Sequence, residues 1–270
     1  MIFAAGLGTR LRPLTDTMPK ALVEVDGKPL LWHVIQKLKE AGFERVVVNV
    51  HHFAQQITDY LNRNHNFGLD IRISDETRTL LDTGGGIKKA QQLFSPDEPI
   101  LIHNVDILSN VDLALLYEKA KDDDATLLVS QRDTSRYLVF DDAMQLTGWV
   151  NIKTGETKGP LADNFNPLTS TLKRFAFSGI HVFSPRLFAA MEGWQEPFGI
   201  IDFYLSACSN AKVRGIVKTD LRLLDVGKLD SLDKAEKFIN NKELRKKNGT
   251  EDYHPRLRVA DDPTYRTTRP

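Results

Sequence analysis

The residues of this 270-residue chain best suited to chemistry are a set of cations among glycines and two aspartates far apart in sequence. Gly6 and Gly8 follow the apolar run Met1 to Ala5, and behind them come Arg10, Arg12 and Lys20, with Pro13 and Pro19 between. Glycine lets the backbone turn sharply and bring its amides close to phosphate oxygens, and fixed cations beside such amides are what a triphosphate needs. A dinucleotide-binding fingerprint would require glycine at the position of Leu11, and a Walker loop would require Lys-Ser or Lys-Thr after its last glycine. Neither is present. Asp106 ends the run ILIHNVD and Asp225 sits in LRLLDVG. If each closes a strand, both carboxylates reach the edge of an α/β sheet where ligands bind. Magnesium on a triphosphate takes only one or two protein carboxylates, so this pair suits it, although capping is the plainer role for either aspartate alone. In LLDTGGGIKKA, Gly84, Gly85 and Gly86 are expected at the head of a helix opening at Ile87. There, free amides and missing side chains would leave room for a nucleobase and its ribose.

These residues need a scaffold, and the first half of the chain supplies alternating strand and helix patterns, the sign of βαβ units. Strands are expected at Met1 to Ala5, Arg45 to Val50, Leu69 to Ile73, through PILIHNVD, and at Ala125 to Gln131. Between them, helices are expected from Pro29 to Ala41, with Leu30, Val34, Leu38 and Ala41 on one face, and from Ala54 to about Arg63. Asp26-Gly27 is a turn signal, and Asp112 is an N-cap for LALLYEKA. Further on, Tyr137 to Phe140, Leu146 to Ile152 and Lys173 to Phe183 read as strands of a mixed sheet, with a loop from Thr154 to Ser170. Helices follow at Arg186 to Glu192 and Ile201 to Asn210, strands at Val213 to Val217 and Leu221 to Val226, and a last helix from about Ser231 to Asn241. Residues 1–241 are expected to form one α/β domain and 242–270 a polar tail without a core of its own.

Composition narrows the partners. Lysine plus arginine and aspartate plus glutamate each number 36, so no global field attracts nucleic acid or an anionic membrane. A single cysteine, Cys208, excludes an internal disulfide framework and a multi-cysteine zinc site, and fits a cytoplasmic setting. MIFAA is too short for a signal peptide and no apolar run reaches membrane-spanning length; a few residues are expected to precede this opening run in the native protein. There is no internal repeat. His51 and His52 lack a matching metal-ligand set and read as capping or packing groups. Cys208, on an expected helix without a basic partner, reads as an inert buried thiol. Trp32, Trp149 and Trp194 read as core or rim.

AAGLGTRLRPLT, a short spacer and PKALVEV together resemble the sugar-1-phosphate nucleotidylyltransferase signature GxGTRxxPxT…PKxxxxV, and the likeness extends over about Met1 to Asn240. By that resemblance, Ala5, Gly6, Gly8 and Thr9 cradle the nucleotide phosphates. Arg10 meets the departing pyrophosphate, and Lys20 steadies the α-phosphate and the incoming sugar phosphate. Asp106 and Asp225 then bind Mg2+, in segments similar to the family's NGD and WxDVG, with Val105 in place of the usual glycine and Leu224 before the second aspartate. TGGGI is similar to the form in N-acetylmuramate-1-phosphate uridylyltransferases, with mannose- and heptose-1-phosphate guanylyltransferases next, and it implies that Gly84 and Gly85 contact the nucleoside. FSGIHVFSP resembles the strand beneath the sugar, with Gly179 allowing close approach of the sugar phosphate. A Glu-Lys-Pro sugar element is missing, and the loop through Gly155, Gly159 and Asn166 stands in its place. The fold implied is a Rossmann-like α/β three-layer sandwich with a mixed, mostly parallel sheet, of the nucleotide-diphospho-sugar transferase type. The substrates implied are a nucleoside triphosphate, UTP first and GTP as the alternative, and a sugar 1-phosphate, N-acetylmuramate 1-phosphate first. An inactive nucleotide-sugar-binding regulatory subunit is the alternative of another class.

Overall fold

The computed structural model describes residues 1–160 and 172–240, and the backbone of 265 and 266. Asn166 with most of the loop expected to end at Ser170, and nearly all of the tail from Lys242, lie outside the described residues. In chain order the strands of the first half are β1 (Ile2–Phe3), β2 (Glu24–Val25), β3 (Lys28–Pro29), β4 (Arg45–Val50), β5 (Asp70–Asp75), β6 (Ile100–Asn104) and β7 (Ile107–Ser109). Those that follow are β8 (Ala125–Ser130), β9 (Arg136–Phe140), β10 (Leu146–Asn151), β11 (Thr157–Lys158), β12 (Lys173–Phe183), β13 (Val213–Lys218) and β14 (Leu223–Asp225). The helices are α1 (Leu30–Glu40), α2 (Ala54–Arg63), α3 (Asp82–Lys89), α4 (Leu113–Lys119), α5 (Phe188–Met191), α6 (Ile200–Ala207) and α7 (Leu232–Asn240). The mixed, mostly parallel sheet with helices is thus the α/β architecture expected.

The chain divides into two compact units, and each folds around its own strands. The first comprises residues 1–80, 103–115 and the described residues from 222 to 240. In it β1 lies parallel between β4 and the end of β6, with Ile2 opposite Val48 and His103, and β5 continues the parallel order beyond β4. Five of the six residues of β4 are buried, which is why RVVVNV is apolar almost throughout. Helix α1 buries Leu30, Val34 and Leu38, as the 3.6-residue spacing predicts. Asp26 and Gly27 both take positive φ, 51° and 69°, the conformation of a type I′ turn, and so join β2 to β3 as a hairpin.

The second unit comprises the described residues within 81–102 and 116–221. Here every residue of β8 is buried, and β8 pairs antiparallel with β12 and parallel with β13. β12 also pairs with β9, and β9 with β10, both antiparallel. Asp112, just ahead of α4, caps it as expected, its Oδ1 accepting from Leu115 N at 2.9 Å. The helix expected at Arg186 to Glu192 is a 3-10 turn at Pro185–Leu187 followed by the short α5. Among the described residues no helix is long and apolar enough to cross a membrane.

Two buried histidines give the fold a pH dependence. His103 in the first unit and His181 in the second are both held down to about 3 by burial, with the Lys37 charge adding to the effect at His103. His181 and Tyr204 share a buried hydrogen bond of 2.8 Å. Unfolded, each imidazole takes up a proton near its ordinary value of 6.5. From there down to about 3 the unfolded chain therefore binds protons that the native chain refuses, so stability falls as pH falls. The slope is about 1.4 kcal/mol per pH unit for each histidine. Thermal unfolding at steps from pH 7.5 to 5 is expected to show the midpoint dropping below pH 6.5, and His181→Gln to flatten the drop.

Candidate active site

In the first unit the chain leaves the sheet at Ala4, and a buried polar link fixes that exit. Ala4 N donates to Asn49 Oδ1 at 2.8 Å, and Asn49 Nδ2 donates to Glu76 Oε1 at 2.7 Å. Asn49 is 3% exposed and Glu76 fully buried, a burial that costs several kcal/mol where such groups lack partners. The polar residue within RVVVNV thus anchors the start of the glycine loop. Its oddity in an apolar strand is the sequence signal by which it could have been found.

Within the loop the two glycines do different things. Gly8 is left-handed, with φ of 64°, and a Cβ there would come within 2.9 Å of Thr15 Cγ2 and 3.0 Å of Lys20 Cβ. Thr15 Oγ1 and Leu11 N both donate to Gly8 O at 2.8 Å. Gly8 therefore lets the loop close onto Thr15 and onto the stem of Lys20. Gly6 is exposed, and a Cβ there would meet nothing within 4 Å. Among the described residues nothing fills the space a side chain would take there, so the loop backbone at Gly6 lies open. Ala5 is buried beside it, and Thr9 is exposed at the first position of a 3-10 turn.

The charged groups gather around this loop. Lys20 Nζ is hydrogen-bonded to Asp106 Oδ2, and the two side chains are only 11% and 17% exposed. Arg12 is occupied by Asp16 at 3.2 Å, whereas Arg10 is exposed and forms no ion pair among the described residues. Asp106 does not close its strand as expected. It lies two residues past β6, in the turn that leads into β7. Nor does β14 join the main sheet: it pairs antiparallel with β7 in a ribbon of two strands. Asp225 lies opposite Ile107, and Val226 N donates to Asp106 O at 2.8 Å, so this ribbon brings the two aspartates from distant sequence to neighbouring backbone positions. Val105 is buried and is not among the residues with positive φ, so the site has no need of glycine there.

Gly227, the last residue of LRLLDVG, has a part that its sequence pattern alone does not reveal. A Cβ on it would lie 2.5 Å from Asp225 Oδ1 and 2.8 Å from Arg10 Nη2. Its bare α-carbon is what lets the Arg10 guanidinium and the Asp225 carboxylate close on the same spot. Among the described residues, no group of three or more His, Cys, Asp or Glu side chains could hold a metal ion. Two carboxylates with water and phosphate oxygens nonetheless form the donor set that magnesium uses on nucleotides, and Asp106 and Asp225 fit it.

In the second unit the glycine helix begins earlier than expected, at Asp82, and the glycines lie inside its first turns. The expected free amides are corrected here. Gly84 N and Gly85 N both donate to Phe198 O, at 2.9 and 3.2 Å. A Cβ on Gly84 would run to within 2.3 Å of the Phe198 ring, and one on Gly85 to within 3.0 Å of Leu81 Cβ and 3.2 Å of Glu196. Packing against the Glu196–Phe198 segment therefore accounts for both glycines. Gly179, with φ of 76°, lies where the register of β12 on β8 shifts between Phe177 and His181, so its freedom serves a bulge. Other candidates have ordinary partners. His51 is bonded to Glu76 O at 2.7 Å, His52 packs on Phe53, and buried Cys208 donates to Leu205 O at 3.3 Å.

A glycine loop, a lysine, an arginine and two aspartates at neighbouring backbone positions are the kinds of group that phosphoryl-group transfer uses. Residues 1–242 match the nucleotidyl transferase family, and the chain belongs to it. It is an enzyme, a sugar-1-phosphate nucleotidylyltransferase. The protein of Caulobacter vibrioides named N-acetylmuramate alpha-1-phosphate uridylyltransferase is 33% identical over 234 residues, 82% of this chain and 88% of that protein. The protein of the same name in Neisseria meningitidis serogroup B is 34% identical over 193 residues, 71% and 78% of the two chains. The crystal structure of HddC from Yersinia pseudotuberculosis in complex with GMP-PN superposes with a TM-score of 0.68 at 21% identity, covering 88% of this chain and 98% of that one, a likeness of fold.

Proposed function

We propose that this enzyme transfers the uridylyl group of UTP to N-acetylmuramate 1-phosphate, giving the UDP-sugar and pyrophosphate. The observation that carries the reading is the meeting of Arg10, Lys20, Asp106 and Asp225 around one glycine loop in the first unit. The choice of substrates is supported by the two relatives of that name, each matched over more than two thirds of both chains.

In this reading, Gly6, Gly8 and Thr9, with Ala5 behind them, receive the triphosphate at the loop. An oxygen of the acceptor's phosphate attacks the α-phosphorus, a new P–O bond forms, and the bond to the bridging oxygen breaks in line with it to release pyrophosphate. Lys20 holds the α-phosphate and the attacking phosphate close, offsetting the repulsion between two anions. Arg10, free of any ion pair among the described residues, receives the charge that grows on the leaving pyrophosphate. Asp106 and Asp225 hold magnesium, which when bound neutralises charge on the phosphate oxygens. Asp106 also orients Lys20 through their ion pair. Gly179 serves binding of the sugar phosphate, and α3 contributes to nucleoside binding through groups other than the Gly84 and Gly85 amides. Residues 1–241 carry the whole reaction as one catalytic domain, in the cytoplasm and in the service of cell-wall recycling.

Pyrophosphate release, measured with magnesium for UTP, GTP, dTTP and CTP against a panel of sugar 1-phosphates, tests the assignment. The highest kcat/KM is expected for UTP with N-acetylmuramate 1-phosphate. A preference for GTP with mannose or heptose 1-phosphate would replace it with the guanylyl reaction.

A further inference from the structure

The second unit contains a cavity of about 500 Å³, and its walls come from strands β9, β10 and β12, from α6 and from the segment ahead of β9. Its apolar surface includes Leu138, Trp149, Phe177 and Leu205, and its polar residues include Arg132, Arg136, Asn151, Glu156, Lys158 and Asp202. Phe177 is at the first edge of the bulge that holds Gly179. The charges in the wall are unevenly matched. Lys158 lies 3.0 Å from Asp202 and 3.9 Å from Glu156, with its ammonium over the Trp149 ring, so both carboxylates of the wall have a cation at hand. Arg132 gives one N–H to Phe177 O at 3.0 Å, and neither Arg132 nor Arg136 has a carboxylate partner among the described residues.

A cavity of this size suits a monosaccharide with its substituents, and an aromatic floor suits the apolar face of a sugar ring. Two guanidinium groups without anionic partners suit a planar carboxylate, which each can bind with two parallel N–H donors. We infer that Arg132 and Arg136 read a carboxylate on the acceptor sugar, so that the enzyme selects acidic sugar 1-phosphates over their neutral counterparts. This rests on the acceptor reading given above and assigns it two specificity-determining residues. A lactyl-bearing acceptor such as N-acetylmuramate supplies the carboxylate, and a neutral N-acetylhexosamine leaves both arginines unanswered.

The test compares acceptors that differ by one carboxylate, at saturating UTP and magnesium. N-acetylmuramate 1-phosphate is paired with N-acetylglucosamine 1-phosphate, and glucuronate 1-phosphate with glucose 1-phosphate. The wild-type enzyme is expected to favour the acidic member of each pair it uses. Arg136→Gln and Arg132→Gln are each expected to lower the ratio of kcat/KM, acidic over neutral, by about tenfold, mainly through KM, the scale of one charge-assisted contact at a partly exposed site. Arg136→Lys should restore part of that loss. Equal losses on acidic and neutral acceptors would mean that the arginines serve the 1-phosphate or the fold, and unchanged ratios would mean that they read nothing; either overturns the inference. Failure of the acceptor assignment is a separate result. A wild-type enzyme that rejects N-acetylmuramate 1-phosphate refutes the named substrate, while the glucuronate and glucose pair still decides whether the arginines select a carboxylate.

Discussion

Lys20→Ala is expected to lower kcat for pyrophosphate release by about 10²-fold or more, the scale of one lost transition-state electrostatic contact. The lysine stem is held where the loop closes on it at Gly8, and its head is fixed by Asp106 in surroundings that leave it only 11% exposed. A cation so placed needs little reorganisation when charge develops on a phosphate, so its removal should appear in kcat rather than in KM for UTP. The substitution also leaves the Asp106 carboxylate, 17% exposed, without the ammonium that answers it, so some loss of stability is expected as well. Steady-state rates at saturating UTP and magnesium, at a temperature well below the variant's own unfolding midpoint, separate the two effects. Lys20→Arg keeps the charge and should recover part of the rate.

Asp225→Asn should lose a similar factor in kcat for a different reason. Asp225 is exposed at the end of β14, and the substitution conserves its shape, so the unfolding midpoint should barely move. What is lost is one of two carboxylates offered to magnesium, and the magnesium concentration for half-maximal rate should therefore rise along with the fall in kcat. Titrating magnesium at fixed total UTP, with and without the substitution, measures both. Near-normal rates in both the Lys20 and the Asp225 variants would mean that the chemistry lies elsewhere in the chain.

Much of this site could be read from the sequence because its parts are local. The spacing of Gly6, Gly8, Arg10 and Lys20 places them on one loop, and the strongly patterned segments Arg45–Val50, Ala54–Arg63 and Lys173–Phe183 fold with the boundaries their residues predict. What escaped depends on partners distant in sequence. Three consecutive glycines argue against a helix by propensity, yet α3 runs through them, with Phe198 packed where a Gly84 side chain would be and Leu81 and Glu196 close on Gly85. The ILS segment just past Asp106 is too short to announce a strand, and it is ordered by pairing with the strand expected at Leu221 to Val226. The buried link from Ala4 through Asn49 to Glu76 joins three segments that no local pattern connects. The role of Gly227 likewise becomes visible only once Arg10 is seen beside it.

The ribbon of β7 and β14 also sets an order on the birth of the enzyme. A ribosome adds residues from the amino terminus, so the glycine loop, Arg10, Lys20 and Asp106 all emerge well before Asp225 and Gly227. The loop's cations and the first carboxylate are therefore synthesised long before the second carboxylate that stands beside them in the fold. Because the turn that carries Asp106 runs into β7, and β7 pairs with β14, the site is complete only once residues 223–227 have been made.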